Sequence, residues 1–227
     1  MITSPEQSDS KEPLDILEMR PLPTSSKGLR TRLSLTKAAR RVFEEKGFVD
    51  TRLIDITTHA GLSAGTFYTY FDSKEQIFAA VLQEAQKEML HPGLPHVTDE
   101  SDSVAVIKAS TRAYLETYRR NAALMALMEQ VSLILPEFRQ FRQQRADTFV
   151  ERNARSIEKL REQGLVDENI DPELASAALS SMVSRLAFSY FVDGRLPGTA
   201  RQVDFEELVG TTTRLWVNAL GIDPKDT

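Results

Sequence analysis

The chain contains no cysteine, and this one absence excludes disulfides, thiolate metal sites and cysteine nucleophiles together. Histidine is nearly absent too. His59, His91 and His96 share no ligand spacing such as H-E-x-x-H, and two of them flank the broken stretch His91-Pro92-Gly93-Leu94-Pro95-His96, so they read as solvated loop residues rather than metal ligands. No apolar run approaches the roughly 18–20 residues of a membrane span. The opening MITSPEQSDSKEP lacks the basic and apolar regions of a signal peptide, so a cytoplasmic location without a membrane partner is expected. Catalytic motifs are missing as well: there is no Gly-rich phosphate loop, no Ser-His-Asp order with its surrounding motif and no Glu-x-x-His pair. Acid pairs such as Glu44-Glu45 and Glu206-Glu207 are sequence neighbours that diverge on a helix. Nothing calls for an enzyme or for a cofactor.

What is present is an ordinary globular composition. Of 227 residues, 41% are hydrophobic and 27% charged, with ten glycines and ten prolines, enough to bury a large core without staples. The net charge of −5 disfavours a polyanionic partner only until its distribution is read. Residues 27–74 carry nine Lys/Arg against five Asp/Glu, whereas 1–26 carry two against five and 75–227 seventeen against twenty-three. The basic charge is concentrated in about a fifth of the chain.

Periodicity predicts an all-α protein of about nine helices, with no segment alternating as a strand does. Residues 1–26, rich in Ser, Pro and acids, are expected to be a disordered tail. Leu35, Ala38, Ala39, Val42 and Phe43 mark a first helix that Gly47 stops, and Leu53, Ile56 and Ala60 a short second one. Gly61 supplies a tight turn and Ser63 caps a third helix over Ala64–Tyr70. Ser73-Lys74-Glu75-Gln76 is a capping box that opens a helix over 73–90, with Ile77, Phe78, Val81, Leu82, Ala85 and Met89 inward. Further stripes cover 104–121, an almost wholly apolar 122–135 that Pro136 stops, a charged 137–164, 172–192 opened by Asp171-Pro172, and 205–220. The division that follows is a basic three-helix unit over 27–74, a larger helical unit over 75–221 linked to it by helix 73–90, and a C-terminal tail over 222–227.

Two short helices joined by a Gly-containing turn, behind a longer basic helix, form a helix-turn-helix unit. At about 100° per residue, Phe67 and Phe71 fall on one side of the third helix, Gly65, Thr66 and Thr69 on the other, and Tyr68 and Tyr70 on the flanks. Small residues let a backbone enter the major groove, hydroxyls can meet base edges, and phenols at the sides reach phosphates. Ser63 stands at a helix N-terminus, which favours phosphate. Lys74 and Arg52 could clamp the flanking backbone. The alternative is that the tyrosines are half-buried packing residues and the cations a solvated face.

The stretch Arg30-Thr31-Arg32, Ala38-Ala39, Phe43-Glu44-Glu45-Lys46-Gly47-Phe48, Thr51, Ile56 and then Ala60-Gly61-Leu62-Ser63-Ala64-Gly65-Thr66-Phe67-Tyr68-Thr69-Tyr70-Phe71-Asp72-Ser73-Lys74-Glu75 closely resembles the N-terminal domain of TetR-family transcriptional repressors. Thr57, where alanine is usual, and Ala64, where many members carry a polar or basic residue, depart from that pattern. The resemblance implies that Ser63, Gly65, Thr66, Tyr68, Thr69, Tyr70 and Lys74 meet DNA and that Arg52 meets a phosphate. It also implies a homodimer, built here through helices 172–192 and 205–220, bound to a near-palindromic double-stranded operator. The remaining helices would enclose a small-molecule cavity. Beyond residue 104 the resemblance rests on helix count.

For that cavity the adaptable apolar and aromatic residues on inward faces are Tyr114, Tyr118, Met125, Met128, Phe141, Phe149 and Met182, with Arg145 on the stripe between Phe141 and Phe149. One reading is a largely apolar effector carrying an anionic group that meets Arg145. The other is that these residues are plain core and that Arg145 reaches out to solvent. The expected function is a ligand-responsive transcriptional regulator of repressor type. A helix-turn-helix protein without an effector is the alternative, ahead of an all-α enzyme.

Overall fold

The computed structural model describes residues 17, 19–92 and 102–222, and among them the chain forms nine α-helices and no strand. α1 (Ser26–Asp50) starts where the Ser25 hydroxyl accepts the Gly28 N–H at 3.1 Å. Its regular part ends at Gly47, where φ is +78°, a left-handed conformation that glycine adopts without strain. α2 (Leu53–Ala60) closes on Gly61, also left-handed, and α3 (Ala64–Tyr70) opens three residues later with Ser63 accepting from Thr66 N–H. α4 (Lys74–Leu90) is capped by Ser73, α5 (Ser103–Arg120) by Asp102, α8 (Pro172–Phe191) by Asp171 and α9 (Phe205–Ala219) by Asp204. Between them, α6 (Ala122–Ile134) gives way to α7 (Pro136–Glu162) at Pro136. This proline both stops one helix and opens the next, because the N–H it lacks would be unpaired in a first turn anyway.

The basic N-terminal unit and the larger unit share one core. Phe43 and Phe48 of α1 meet Phe78 of α4, each with ring centroids 5.0 Å from it, and Phe78 meets Phe138 of α7 at 5.2 Å. All four are buried. Polar links cross the same junction: Arg40 of α1 is 3.6 Å from Glu88 of α4 and donates to the Arg120 carbonyl at 3.1 Å, while Asn121 donates to Glu88 at 3.1 Å. A second cluster, Ile157, Val166, Leu179, Val217, Leu220 and Ile222, closes the far end.

Both expected tails are shorter than the sequence suggested. Residues 19–25 are not helical, yet Met19 packs on the core and Arg20 donates two hydrogen bonds to Asp72 at 2.7 and 2.5 Å. A single ion pair and one apolar side chain anchor this segment, a pattern that composition does not register. At the other end Ile222 is buried and bonds Val217, so the core extends past residue 221. The remainder of the expected tails, 1–16, 18 and 223–227, and His96 lie outside the described residues.

Candidate nucleic-acid interface and ligand cavity

α3 is held by one aromatic face. Phe67 and Phe71 are fully buried with centroids 5.8 Å apart, which turns the opposite face outward. Gly65, Tyr68 and Thr69 are exposed there, Tyr68 at 50%, with Thr66 and Tyr70 half-buried at the edges. Ser63 and Thr66 are 2.9 Å apart through their hydroxyls, and Thr69 donates to the Gly65 carbonyl at 3.2 Å. Each hydroxyl is therefore held in position with acceptor capacity to spare. Arg52, exposed, starts α2, where its N–H is taken by Asp55 at 3.0 Å. Asp55 in turn lies 2.9 Å from Lys46, whose ammonium, with the Arg52 N–H, holds the carboxyl below its ordinary pKa. Ser63, Gly65, Thr66, Tyr68, Thr69 and Tyr70 thus come together on one short helix, with Arg52 on the helix before it.

Lys74 is turned the other way. Its ammonium donates to the carbonyls of Phe48, Val49 and Thr51 at 2.7, 3.1 and 3.1 Å and lies 4.6 Å from the Phe48 ring centroid. All three of its donors are used, and they hold the short segment that follows the kink of α1 at Gly47. Its spacing on the motif is unchanged, but its charge points to protein. Thr57, the unusual residue of α2, is buried with its hydroxyl donated to the Ile54 carbonyl at 3.2 Å, so the extra oxygen is satisfied.

Between α4, α5, α6, α7, α8 and α9 lies a cavity of about 550 Å³, within the range of small-molecule sites. Tyr114, Tyr118, Met125, Met128, Arg145 and Phe149 line it as expected. Phe141 and Met182 do not. Phe141 is buried in the main core beside Phe138, and Met182 is wedged between the two apolar clusters. The wheel places both on inward faces, but α7 and α8 each touch more than one neighbour, and the inward face at those two positions meets packed core. Arg145 does not reach solvent: only 6% exposed, it lies 5.2 Å from the Phe149 ring centroid.

Lining residues beyond the expected cavity set are Met89, Ile107 and Trp216, which the helical pattern placed inward without separating cavity from core, and Arg152, Asn153 and Ser180. A signal existed for some of them, since Arg142, Arg145, Phe149 and Arg152 repeat at three- and four-residue steps on α7. Tyr114 packs on both Tyr118 and Phe149, at 5.9 and 5.8 Å. Burial first, and then the neighbouring Tyr114, push the Tyr118 phenol well above its ordinary pKa, while Arg145 pulls it down by less. The hydroxyl therefore remains a donor across physiological pH.

Comparisons with known proteins agree with this geometry in both halves. Residues 35–81 match the family model described as bacterial regulatory proteins, tetR family, and residues 107–221 match the C-terminal domain of the transcriptional regulator EthR. The chain is similar to the HTH-type transcriptional regulator EthR of Mycolicibacterium smegmatis, 24% identical over 82% of this chain and 84% of that protein. It is 30% identical to the uncharacterised HTH-type regulator YfiR of Bacillus subtilis, over 64% of this chain and 73% of that one. Among solved structures, a complex of SmeT with triclosan matches with a TM-score of 0.66 at 18% identity, covering 87% of this chain and 94% of that one.

Proposed function

The chain belongs to the TetR family of bacterial regulatory proteins, and from that premise we propose that it is a ligand-responsive repressor acting as a dimer on a near-palindromic operator. Its relatives regulate transcription and are not enzymes. The observation that carries the reading is the outward face of α3, where Gly65, Tyr68 and Thr69 stand exposed over the buried pair Phe67 and Phe71. Such a face suits a major groove: the backbone approaches at Gly65, Thr66 and Thr69 meet base edges, and Ser63, Tyr68, Tyr70 and Arg52 meet phosphates. Lys74 serves the same interface from behind, by fixing α1 to α4.

The dimer is assigned to α8 and α9. Leu174 and Ala178 stand exposed on α8, and Thr211 and Leu215 stand exposed on α9. Leu174 and Ala178 are thus available for a partner. Two such protomers would set their α3 helices about one DNA turn, roughly 34–36 Å, apart.

Release from DNA is assigned to a small, largely apolar effector in the cavity, a reading supported by the triclosan complex of SmeT. α4 is the lever. It runs about 25 Å, from Lys74 beside the DNA-binding helices to Met89 on the cavity wall. A ligand preferring the conformer that DNA disfavours would weaken operator binding about 5–150-fold through a coupling of about 1–3 kcal/mol. The test is a fluorescence-anisotropy titration of a selected duplex with the wild type and with Tyr68→Ala/Thr69→Ala. Loss of binding with an unchanged helical circular-dichroism spectrum supports the assignment, and equal binding refutes it.

A further inference from the structure

Four arginines wall the cavity, and they are not equivalent. Arg142 lies 3.8 Å from Glu129 and Arg185 lies 3.5 Å from Asp193. Arg145 and Arg152, two turns apart on α7, have no carboxylate within ion-pair distance among the described residues. Arg145 is nearly fully buried, its Nη2 donates to the Met89 sulfur at 3.0 Å, and its Nε has no hydrogen-bond partner. Arg152 donates from Nη1 to the Leu90 carbonyl. A guanidinium cannot shed its charge in a protein, and a thioether is only a weak acceptor. A buried cation left with such partners is strongly disfavoured unless a counter-charge meets it.

The partners these two arginines do hold are adjacent. Met89 and Leu90 form the last turn of α4, the lever that ends at the DNA-binding helices. The guanidinium groups therefore face the cavity and grip the coupling helix at once.

We propose that the cavity takes an amphipathic organic carboxylate, its head on Arg145 and Arg152 and its apolar body among Ile107, Tyr114, Phe149 and Trp216, and that the head displaces the last turn of α4 from both arginines. This rests on reading the cavity as the effector site. A carboxylate forms charge-assisted, bidentate bonds about twice as strong as those to neutral acceptors, so it outcompetes a sulfur and a carbonyl. The Tyr118 hydroxyl adds a donor on the same wall. A neutral ligand of equal size fills the space but leaves the grip on α4 intact.

Trp216 is the single tryptophan of the chain and lines the cavity, so its emission reports occupancy. The full-length protein is titrated with octanoate, decanoate, dodecanoate and hexadecanoate and with the primary alcohols of the same lengths. The carboxylates are expected to bind about tenfold to a hundredfold more tightly than the matching alcohols. Arg145→Met abolishes that preference while alcohol binding persists, and Arg145→Lys restores part of it. Should Arg145→Met fail to fold, Arg152→Met is expected to weaken carboxylate binding alone. Hydrogen exchange of the amides of Glu88–His91 accelerates with carboxylate and not with alcohol. Equal affinities, a preference that survives both methionine variants, or unchanged exchange overturn the inference and leave the cavity reading standing. No response of Trp216 to either series overturns that reading and the inference with it.

Discussion

The ammonium of Lys74 stands 2.7 Å from the carbonyl oxygen of Phe48, so the first residue of α4 closes the last turn of α1. Its two other donors go to Val49 and Thr51, so all three acceptors lie past the kink at Gly47. A motif lysine thereby becomes a strut between α1 and α4.

Lys74→Ala is therefore expected to lower stability by about 1–3 kcal/mol, since it strands the part-buried carbonyls of Phe48 and Thr51. Urea unfolding measures that loss. Arg52→Ala behaves oppositely: stability is unchanged, and the slope of log K against log salt for DNA becomes shallower by roughly 0.9, one phosphate's worth. A shallower slope for Lys74→Ala at unchanged stability contradicts the inward orientation.

Gly61 has φ of +65° between α2 and α3, with open space where a Cβ would stand. Gly61→Ala consequently meets backbone strain alone and is expected to cost about 1–2 kcal/mol. Phe67→Ala, in the fully buried seat of α3, is expected to cost about 3–5 kcal/mol. Thermal unfolding that ranks Gly61→Ala as the more severe of the two contradicts the packing described for α3.

Asp72 is held below its ordinary carboxyl pKa first by the hydrogen bond from Arg20 and then by that from Gln76. Because the folded-state pKa is the depressed one, the contribution to stability is fully present above the unfolded value of about 3.9. It is lost as pH falls through the lower folded value. Arg20→Ala is expected to move the Asp72 titration upward in an NMR pH series, and an unmoved midpoint means that residues 19–25 are not tied to the DNA-binding unit by this pair.

Leu215, exposed on α9, tests the dimer. Leu215→Asp buries a carboxylate if two copies meet there, and sedimentation at micromolar concentration should then give a monomer where the wild type gives a dimer. Equal sedimentation of the two proteins removes α9 from the interface.

The sequence discloses the helices and the outward face of α3 because their signals are local. Gly47, Gly61, Pro136 and Asp171-Pro172 mark ends through backbone geometry, and Phe67 with Phe71 orients α3 by spacing alone. The cavity is less legible. Phe141 and Arg145 lie one turn apart on α7, yet one enters the core and the other the cavity, because a 27-residue helix changes neighbours along its length. Lys74 misleads for a related reason: a charged side chain on a basic segment reads as outward until the carbonyls of a preceding helix end are brought beneath it. Trp216 and Asn153 carry no pattern that separates cavity wall from core.

The most direct test of the central claim is selection from random double-stranded DNA on the purified protein at a fixed, stated salt concentration, followed by sequencing. The account predicts an enriched motif of two inverted half-sites with centres about one helical turn apart. A pool that remains unenriched at low salt contradicts it.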